Sequence, residues 1–311
     1  MKLRPLVTQL LRRVGLYHAV AYAKYALFAK QHGMTLKNSG GVMTIDNGNR
    51  RVCLSAKDPA YVHSIIMYFD YYYSGVRPIT VDGVSIVDYS TPRLHRLSRS
   101  GLEFTFPSLA ETEEVIDVNI AALKLKPGDA VLDLGAYAGA TTYFLSKAVG
   151  PDGRVLALEP DEINFRFLQE NMTRHGLKNV TCAPSGIWDK ETTVEFQSEG
   201  NLGSAVATIM GRTSNLRKVS MITLERAAEI LGVNRIAAIK MDIEGSEIAV
   251  LRSARDFLIH HQPRLVIEPH HIDGKLVTDE VCSLMQSYGF KTELLSQGAD
   301  NWPLVSAYPG T

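Results

Sequence analysis

After Pro127-Gly128 the chain settles into short apolar runs that alternate with amphipathic helical stretches, and this rhythm limits the folds open to it more than any other feature. Strands are predicted over 130–134, 154–158, 180–183, 236–241 and 265–268, and helices over 139–149, 161–175, 225–231, 246–257 and 278–288. The strand runs are almost wholly apolar rather than alternating, as strands covered on both faces must be. Strands that take turns with helices call for a mostly parallel sheet with helices on either side. The helix over 161–175 is the best marked. Asp161 stands where an N-cap is needed, Arg174 and His175 fall in the last turn, and Gly176 ends it. The fold class expected is therefore α/β, a Rossmann-like doubly wound sheet. Residues 191–220 read as an insertion, with a strand at 194–196 and a Gly/Ser-rich loop.

The upstream third reads differently. Over 6–28, Val7, Leu10, Leu11, Val14, Tyr17, Ala21 and Phe28 recur at helical spacing, with Arg12, Arg13 and Lys24 off that stripe. Asn47-Gly48 between 42–45 and 52–54 is a hairpin signal, Asp58-Pro59 opens a helix running through Ile65, Ile66 and Phe69, and Asp82-Gly83 marks a second turn. Three regions are expected: a basic amphipathic helix over 1–40, a smaller α+β cap over 41–109, and the α/β domain over 110–311.

Charge narrows the partners. Formal net charge is zero, so the basic footprint of a nucleic-acid binder is missing. The first 45 residues nevertheless carry seven Lys or Arg and no acid. Docking of residues 1–30 onto an acidic patch of the chain's own catalytic domain is favoured over peripheral contact with an anionic membrane. Cys53, Cys182 and Cys282 are too scattered for a disulfide framework or a zinc knot. No apolar stretch is long enough for a membrane helix and no leader cleavage site stands out, so the cytoplasm is the expected location.

The chemistry-bearing residues cluster at predicted strand ends, where doubly wound sheets hold their ligands. The first is Asp133-Leu-Gly135-Ala-Tyr137-Ala-Gly139. Gly135 permits a tight turn, and the next helix start offers free N–H groups. A dinucleotide site wants glycines at i, i+2 and i+5, but Tyr137 and Ala140 hold the last two places, and Asp133 would sit beside a phosphate. The same Asp suits S-adenosylmethionine, whose methionine end carries an ammonium. Glu159, in Leu158-Glu159-Pro160, can accept hydrogen bonds from ribose hydroxyls. In Ser185-Gly-Ile187-Trp188-Asp189, Ser185 or Asp189 is placed to read an adenine amine, and Ile187 or Trp188 to pack on the ring, though a plain turn with a core Trp is also open. The fourth strand ends in Lys240-Met-Asp242-Ile-Glu244-Gly245-Ser-Glu247, and the fifth in Glu268-Pro-His270-His271. Asp242 is expected beside the transferred methyl and Glu247 at the helix start. His270 is the first candidate for general base and Asp242 the second.

These stretches resemble the FkbM family of methyltransferases, Lys240-Met-Asp242-Ile-Glu244-Gly245-Ser-Glu247 being the most specific of them, and the likeness spans roughly 110–290. The resemblance implies a class I methyltransferase fold, S-adenosylmethionine as cofactor, and O-methylation of a hydroxyl on a sugar, glycolipid or natural product. Where the family more often has Asn, this chain has Tyr137. No metal is assigned, the alternative being a divalent ion gathered by Asp242, Glu268 and His270. Two rivals remain. An amine methylase of the nucleic-acid type usually carries an Asn/Asp-Pro-Pro-aromatic turn where this chain has Asp242-Ile-Glu244-Gly245. A non-catalytic cofactor binder has no need of the intact Asp133, Gly135, Glu159 and Asp242. Phe69-Asp-Tyr-Tyr-Tyr73 and Phe106-Pro-Ser108 lie outside the resemblance and are candidates for a substrate-side cap.

Overall fold

A computed structural model describes residues 17–310, apart from 58, 202, 207–215 and 273. It divides into two compact units, Met1–Pro92 and Arg93–Thr311. In the first unit, helix α1 (Tyr17–Gln31) precedes strands β1 (Thr35–Ser39), β2 (Val42–Asn47) and β3 (Arg50–Ser55). Short helices α2 (Val62–Met67) and α3 (Phe69–Ser74) follow, then β4 (Ile79–Val81) and β5 (Val84–Tyr89). The sheet order is β1-β2-β3-β5-β4, with only β3 and β5 parallel. Both predicted turns form: Gly48 separates β2 from β3, and Asp82-Gly83, both at positive φ, join β4 to β5. Arg50 binds Asp70 and lies over the Phe69 and Tyr73 rings, so the aromatic run at 69–73 is knitted into its own unit. The start of the predicted basic helix, residues 6–16, lies outside the described residues, as does Asp58. In the described part, Phe28 of the predicted stripe is half-buried, while Val20 and Leu27, outside that stripe, are exposed. Among the described residues no helix is long and apolar enough to cross a membrane.

The second unit opens with a hairpin, β6 (Arg93–Arg96) and β7 (Glu103–Phe106), and helix α4 (Glu113–Leu123). Then comes the alternating series: β8 (Ala130–Leu134), α5 (Ala140–Val149), β9 (Arg154–Leu158), α6 (Glu162–Arg174) and β10 (Val180–Ala183). An inserted sheet follows, made of β11 (Gly186–Ile187), β12 (Thr192–Gln197), β13 (Ala205–Val206) and β14 (Leu216–Ile222). The series resumes with α7 (Leu224–Leu231), β15 (Ala238–Met241), α8 (Glu247–Ser253), α9 (Arg255–His261) and β16 (Arg264–Ile267). A short hairpin, β17 (His271–Ile272) and β18 (Lys275–Leu276), leads to α10 (Thr278–Ser287), β19 (Phe290–Gln297) and β20 (Trp302–Pro309).

The main sheet runs β10-β9-β8-β15-β16-β20-β19. Its first five strands are parallel, and β20 is antiparallel to both neighbours. From β8 the chain steps outward one way to β9 and β10, then returns to place β15 and β16 on the other side. That reversal opens a crevice beyond the carboxyl ends of β8 and β15, where an α/β sheet binds its ligand. This is the class I methyltransferase arrangement expected from the sequence. β8, β15 and the inner residues of β9 are fully covered, which explains their unbroken apolar character. The predicted helix over 246–257 is two helices, broken at Ala254. The hairpin β6–β7 is fixed to α6 by Asn171, whose side-chain amide donates to the Thr105 carbonyl and accepts from the Thr105 N–H, as a neighbouring strand would. Residues 93–109 therefore pack within the second unit.

Candidate active site

Two loops meet at the crevice. After β8 the chain turns at Gly135, with φ of +78°, and a Cβ there would lie 1.8 Å from the main-chain oxygen of Asp242. Only glycine lets the β8 and β15 loops come this close. Tyr137 also sits at positive φ, unusual for a residue with a side chain. Its N–H donates to Glu159 Oε2 at 2.8 Å, while its phenol donates to the Leu109 carbonyl and accepts from the Ser108 N–H. The Tyr137 ring thus anchors the segment before α4, and its backbone serves the crevice. Gly139, also at positive φ, starts α5; a Cβ there would strike Leu168 and Met172, so its role is packing.

Asp133 is fully buried. Thr142 Oγ1 donates to its Oδ2 at 2.6 Å, and Oδ1 has no hydrogen bond, the nearest cation being Lys240 Nζ at 3.7 Å. Burial pushes its carboxyl up, and Lys240 opposes the shift. Lys240 itself, though buried, stays charged: desolvation disfavours the ammonium, but Asp242, Asp133 and Glu111 together raise its pKa. Its Nζ donates to the Gly135 carbonyl at 2.7 Å and lies 3.5 Å from Asp242 Oδ2. One lysine therefore ties the two loops together.

The pocket beyond these loops is lined from both of them, by Gly135 and Tyr137 after β8 and by Asp242 and Glu244 after β15. One wall is apolar, from Ile187, Phe196, Val206 and Met221. The other carries Glu159, Asn164, Asp242 and Glu244. Glu159 accepts from the N–H groups of Tyr137 and Asp161, and burial pushes its carboxyl up to about 8. Asn164 is buried, and its Oδ1 has no hydrogen-bond partner. Asp161 caps α6 as expected, and its other oxygen accepts from Ser198, Gly200 and Ser204, drawing the inserted loop against the pocket. Neither Ser185 nor Trp188 lines the pocket, although both were expected at an adenine. Gly186 and Ile187 take that wall, and Trp188 packs with Phe196, Val206, Val219 and Met221.

A dense acidic cluster lies at the tips of β15 and β16, sharing Asp242 and Glu244 with the pocket. His270 Nδ1 lies 2.8 Å from Glu247 Oε1, and its Nε2 lies 3.6 Å from Asp242 Oδ1 and 3.8 Å from Glu244 Oε1. Burial works against a charge on this ring, but Glu247, Glu244 and Asp242 outweigh it and hold its pKa up to about 10. The sequence casts His270 as a neutral proton acceptor. In this setting it carries a proton at neutral pH, and it does not line the pocket. Asp242, the second candidate, does. Glu268 is pushed up to about 8 by burial and by Asp242. His271 points elsewhere, toward Trp302.

Glu111 is a site residue with no sequence signal. Its carboxylate accepts from the Ala140 N–H and the Thr141 hydroxyl at the start of α5. Burial raises its pKa to about 7 from 4.5, against the pull of Lys240. A carboxyl raised on folding stabilises below the unfolded value, and that contribution is lost as pH climbs from about 4.5 to 7. Glu111→Gln should therefore match the parent near pH 5 and exceed its stability by about 1–2 kcal/mol at pH 8. Paired denaturation curves across that range check this, and parallel curves would refute it.

Residues 133–292, just over half the chain, match the family model described as the methyltransferase FkbM domain. Among curated proteins, the chain is 27% identical over 197 residues to the 31-O-demethyl-FK506 methyltransferase FkbM of Streptomyces tacrolimicus, covering 54% of this chain and 75% of that one. It is 23% identical over 180 residues to methyltransferase 1 of Beauveria bassiana, covering 51% and 71%. Among solved structures, methyltransferase FkbM of Methylobacillus flagellatus aligns at 20% identity and a TM-score of 0.45, over 81% of this chain. That alignment takes in only 55% of the Methylobacillus chain.

Proposed function

The chain belongs to the FkbM methyltransferase family, and from that premise we propose that it moves a methyl group from S-adenosylmethionine to a hydroxyl of a small-molecule, sugar or glycolipid acceptor. The observation that carries this reading is a pocket lined both by apolar side chains, Ile187, Phe196, Val206 and Met221, and by the carboxylates Glu159, Asp242 and Glu244. S-adenosylmethionine supplies a methyl on a positively charged sulfur, joined to a flat adenine through a ribose diol. The residues present fit it. Gly186, Ile187, Phe196, Val206 and Met221 would take the ring, Glu159 the diol, and the unpartnered Asn164 Oδ1 a further donor. Asp242 and Glu244 favour a cation, and the same carboxylates would repel the phosphates of a dinucleotide.

Methyl transfer depends chiefly on alignment, and a rigid crevice supplies it; orientation is worth about 7–11 kcal/mol at best. A hydroxyl is a poor nucleophile, so Asp242, at the pocket edge, takes the part of proton acceptor. Lys240 holds Asp242 and the Gly135 turn in register. The Streptomyces relative is named for methylation at an oxygen, which supports the same acceptor type.

Incubation with methyl-labelled S-adenosylmethionine and a panel of sugars, glycolipids and macrolide alcohols should place label in a base-stable ether. Label on nitrogen, or cofactor binding without transfer to any of them, would overturn the reading. Glu159→Ala should weaken the cofactor by about 1.5–3 kcal/mol, or roughly 10- to 150-fold in dissociation constant. Calorimetry giving parental affinity in a folded variant would remove Glu159 from the diol.

A further inference from the structure

We propose that Asp242, Glu268 and His270 form a binding site for one divalent cation beside the pocket, which Asp242 lines. Its binding is independent of the methyl-transfer reading, and only the cation's task rests on it. No metal is assigned from the sequence alone; the arrangement of the side chains is what argues for one.

One ligand atom from each of the three residues falls within 4.8 Å of the others. A cation held at about 2.0–2.2 Å from each ligand brings neighbouring ligand atoms to roughly 3 Å and opposed ones to about 4.2 Å, so little contraction is needed. The decisive feature is the histidine. Its Nδ1 is engaged by Glu247, which is fully buried and also accepts from the Gly245 N–H. A carboxylate on one ring nitrogen, with the other nitrogen turned toward further carboxylates, is how proteins orient a metal-binding imidazole. Nε2 stands 3.6 and 3.8 Å from Asp242 and Glu244, too far for hydrogen bonds and suited to atoms that share an ion.

Glu268 is oriented in the same manner. Gln297 donates to its Oε2, and Asn119 in turn donates to Gln297 Oε1. Charge points the same way. Four carboxylates, Asp242, Glu244, Glu247 and Glu268, gather around His270, and the one ammonium near them, Lys240, reaches only Asp242, at 3.5 Å, and is shared with Asp133 and the Gly135 carbonyl. Carboxylates crowded in this way, with Glu247 fully buried, favour a compensating cation. One imidazole with carboxylates suits manganese or a similar ion of intermediate hardness.

A hydroxyl bound to such an ion loses its proton more readily. The overall change is alcohol plus S-adenosylmethionine to methyl ether, S-adenosylhomocysteine and one proton. The oxygen forms the new C–O bond, the sulfur keeps the electrons of the broken S–C bond, and the proton passes to the second oxygen of Asp242 and on to water.

The test is a titration of the chelator-treated full chain with Mn²⁺ alone, read by the loss of the free-ion paramagnetic resonance signal and by calorimetry. One ion per chain is expected. His270→Ala and Glu268→Gln should each weaken it at least about 10-fold, and Glu247→Gln by about 10- to 100-fold. Glu280→Gln, on the exposed side of α10, should leave it unchanged. Circular dichroism checks folding, and Glu268→Gln carries the test if His270→Ala unfolds. Absence of bound Mn²⁺, or binding indifferent to both ligand variants, overturns the site. Methyl transfer that proceeds undiminished after chelation overturns the cation's task and leaves the proposed activity standing, while the Mn²⁺ titration alone decides the site. Mn²⁺ bound to a chain that methylates no alcohol sustains the site and removes that activity.

Discussion

Replacing Lys240 by Met should cost about 3–5 kcal/mol of stability, the usual penalty for removing one partner of a buried charge cluster. The substitution keeps most of the volume, so the loss is electrostatic rather than a cavity. Asp133, fully buried, would keep the hydrogen bond from Thr142 and lose the cation 3.7 Å from its other oxygen. The Gly135 carbonyl would lose its donor at the same stroke. Because the shortfall sits on Asp133, Asp133→Asn introduced together with Lys240→Met should recover a large part of it. Urea unfolding of parent, both single variants and the double variant makes a cycle that isolates this coupling. A loss under about 1 kcal/mol in Lys240→Met would show that the lysine is a bystander, in the range expected of an exposed pair.

Lys240 also shows where a sequence stops being legible. As a residue inside an apolar strand it reads as an anomaly, and nothing local says that its ammonium reaches back to the turn after β8. The strands beside it are another matter. β8 and β9 occur at the predicted positions because central parallel strands are buried on both faces, and their composition records this directly; β10, the outer parallel strand, is only half-buried but keeps its short apolar run. The edge is harder. β19 leaves Leu294 exposed, and β20 carries Pro303 and Pro309, which count against a strand, so the antiparallel pair that completes the sheet has no strong pattern of its own. β14 belongs to an insertion whose pairing with β12 is settled across a long loop. At the site, residues fixed by local turn chemistry were readable: Gly135, Asp161 as a cap, Glu159 at a strand end. Glu111, which reaches α5 from the segment before α4, and Asn164, which faces the pocket from inside a helix, depend on tertiary approach and leave no periodic trace. Ser185 and Trp188 flank β11, whose two residues, Gly186 and Ile187, line the pocket; Trp188 turns instead into the core of the inserted sheet.

Asp242→Asn should lower turnover by about 10²–10⁴-fold, the range for losing a general base. The change is nearly isosteric, and the Asp242 N–H bond to the Leu134 carbonyl does not involve the side chain, so the β15 loop should hold its course. Cofactor affinity should move less than turnover, because the apolar lining and Glu159 are untouched and Glu244 still favours the cation. Asp242 is preferred to His270 on geometry. Asp242 lines the pocket, whereas His270 is bonded to Glu247 on one nitrogen and faces Asp242 and Glu244 with the other. The surrounding carboxylates hold the imidazole pKa up to about 10. Proton loss from a free histidine near 6.5 would give a rate rising through that pH. With His270 held charged, or engaged by a cation, no such step is expected, and the parent profile should be free of a histidine-like rise near 6.5. Two results would return the base to His270: near-parental turnover in a folded Asp242→Asn chain, or a rise centred near pH 6.5 that His270→Ala abolishes.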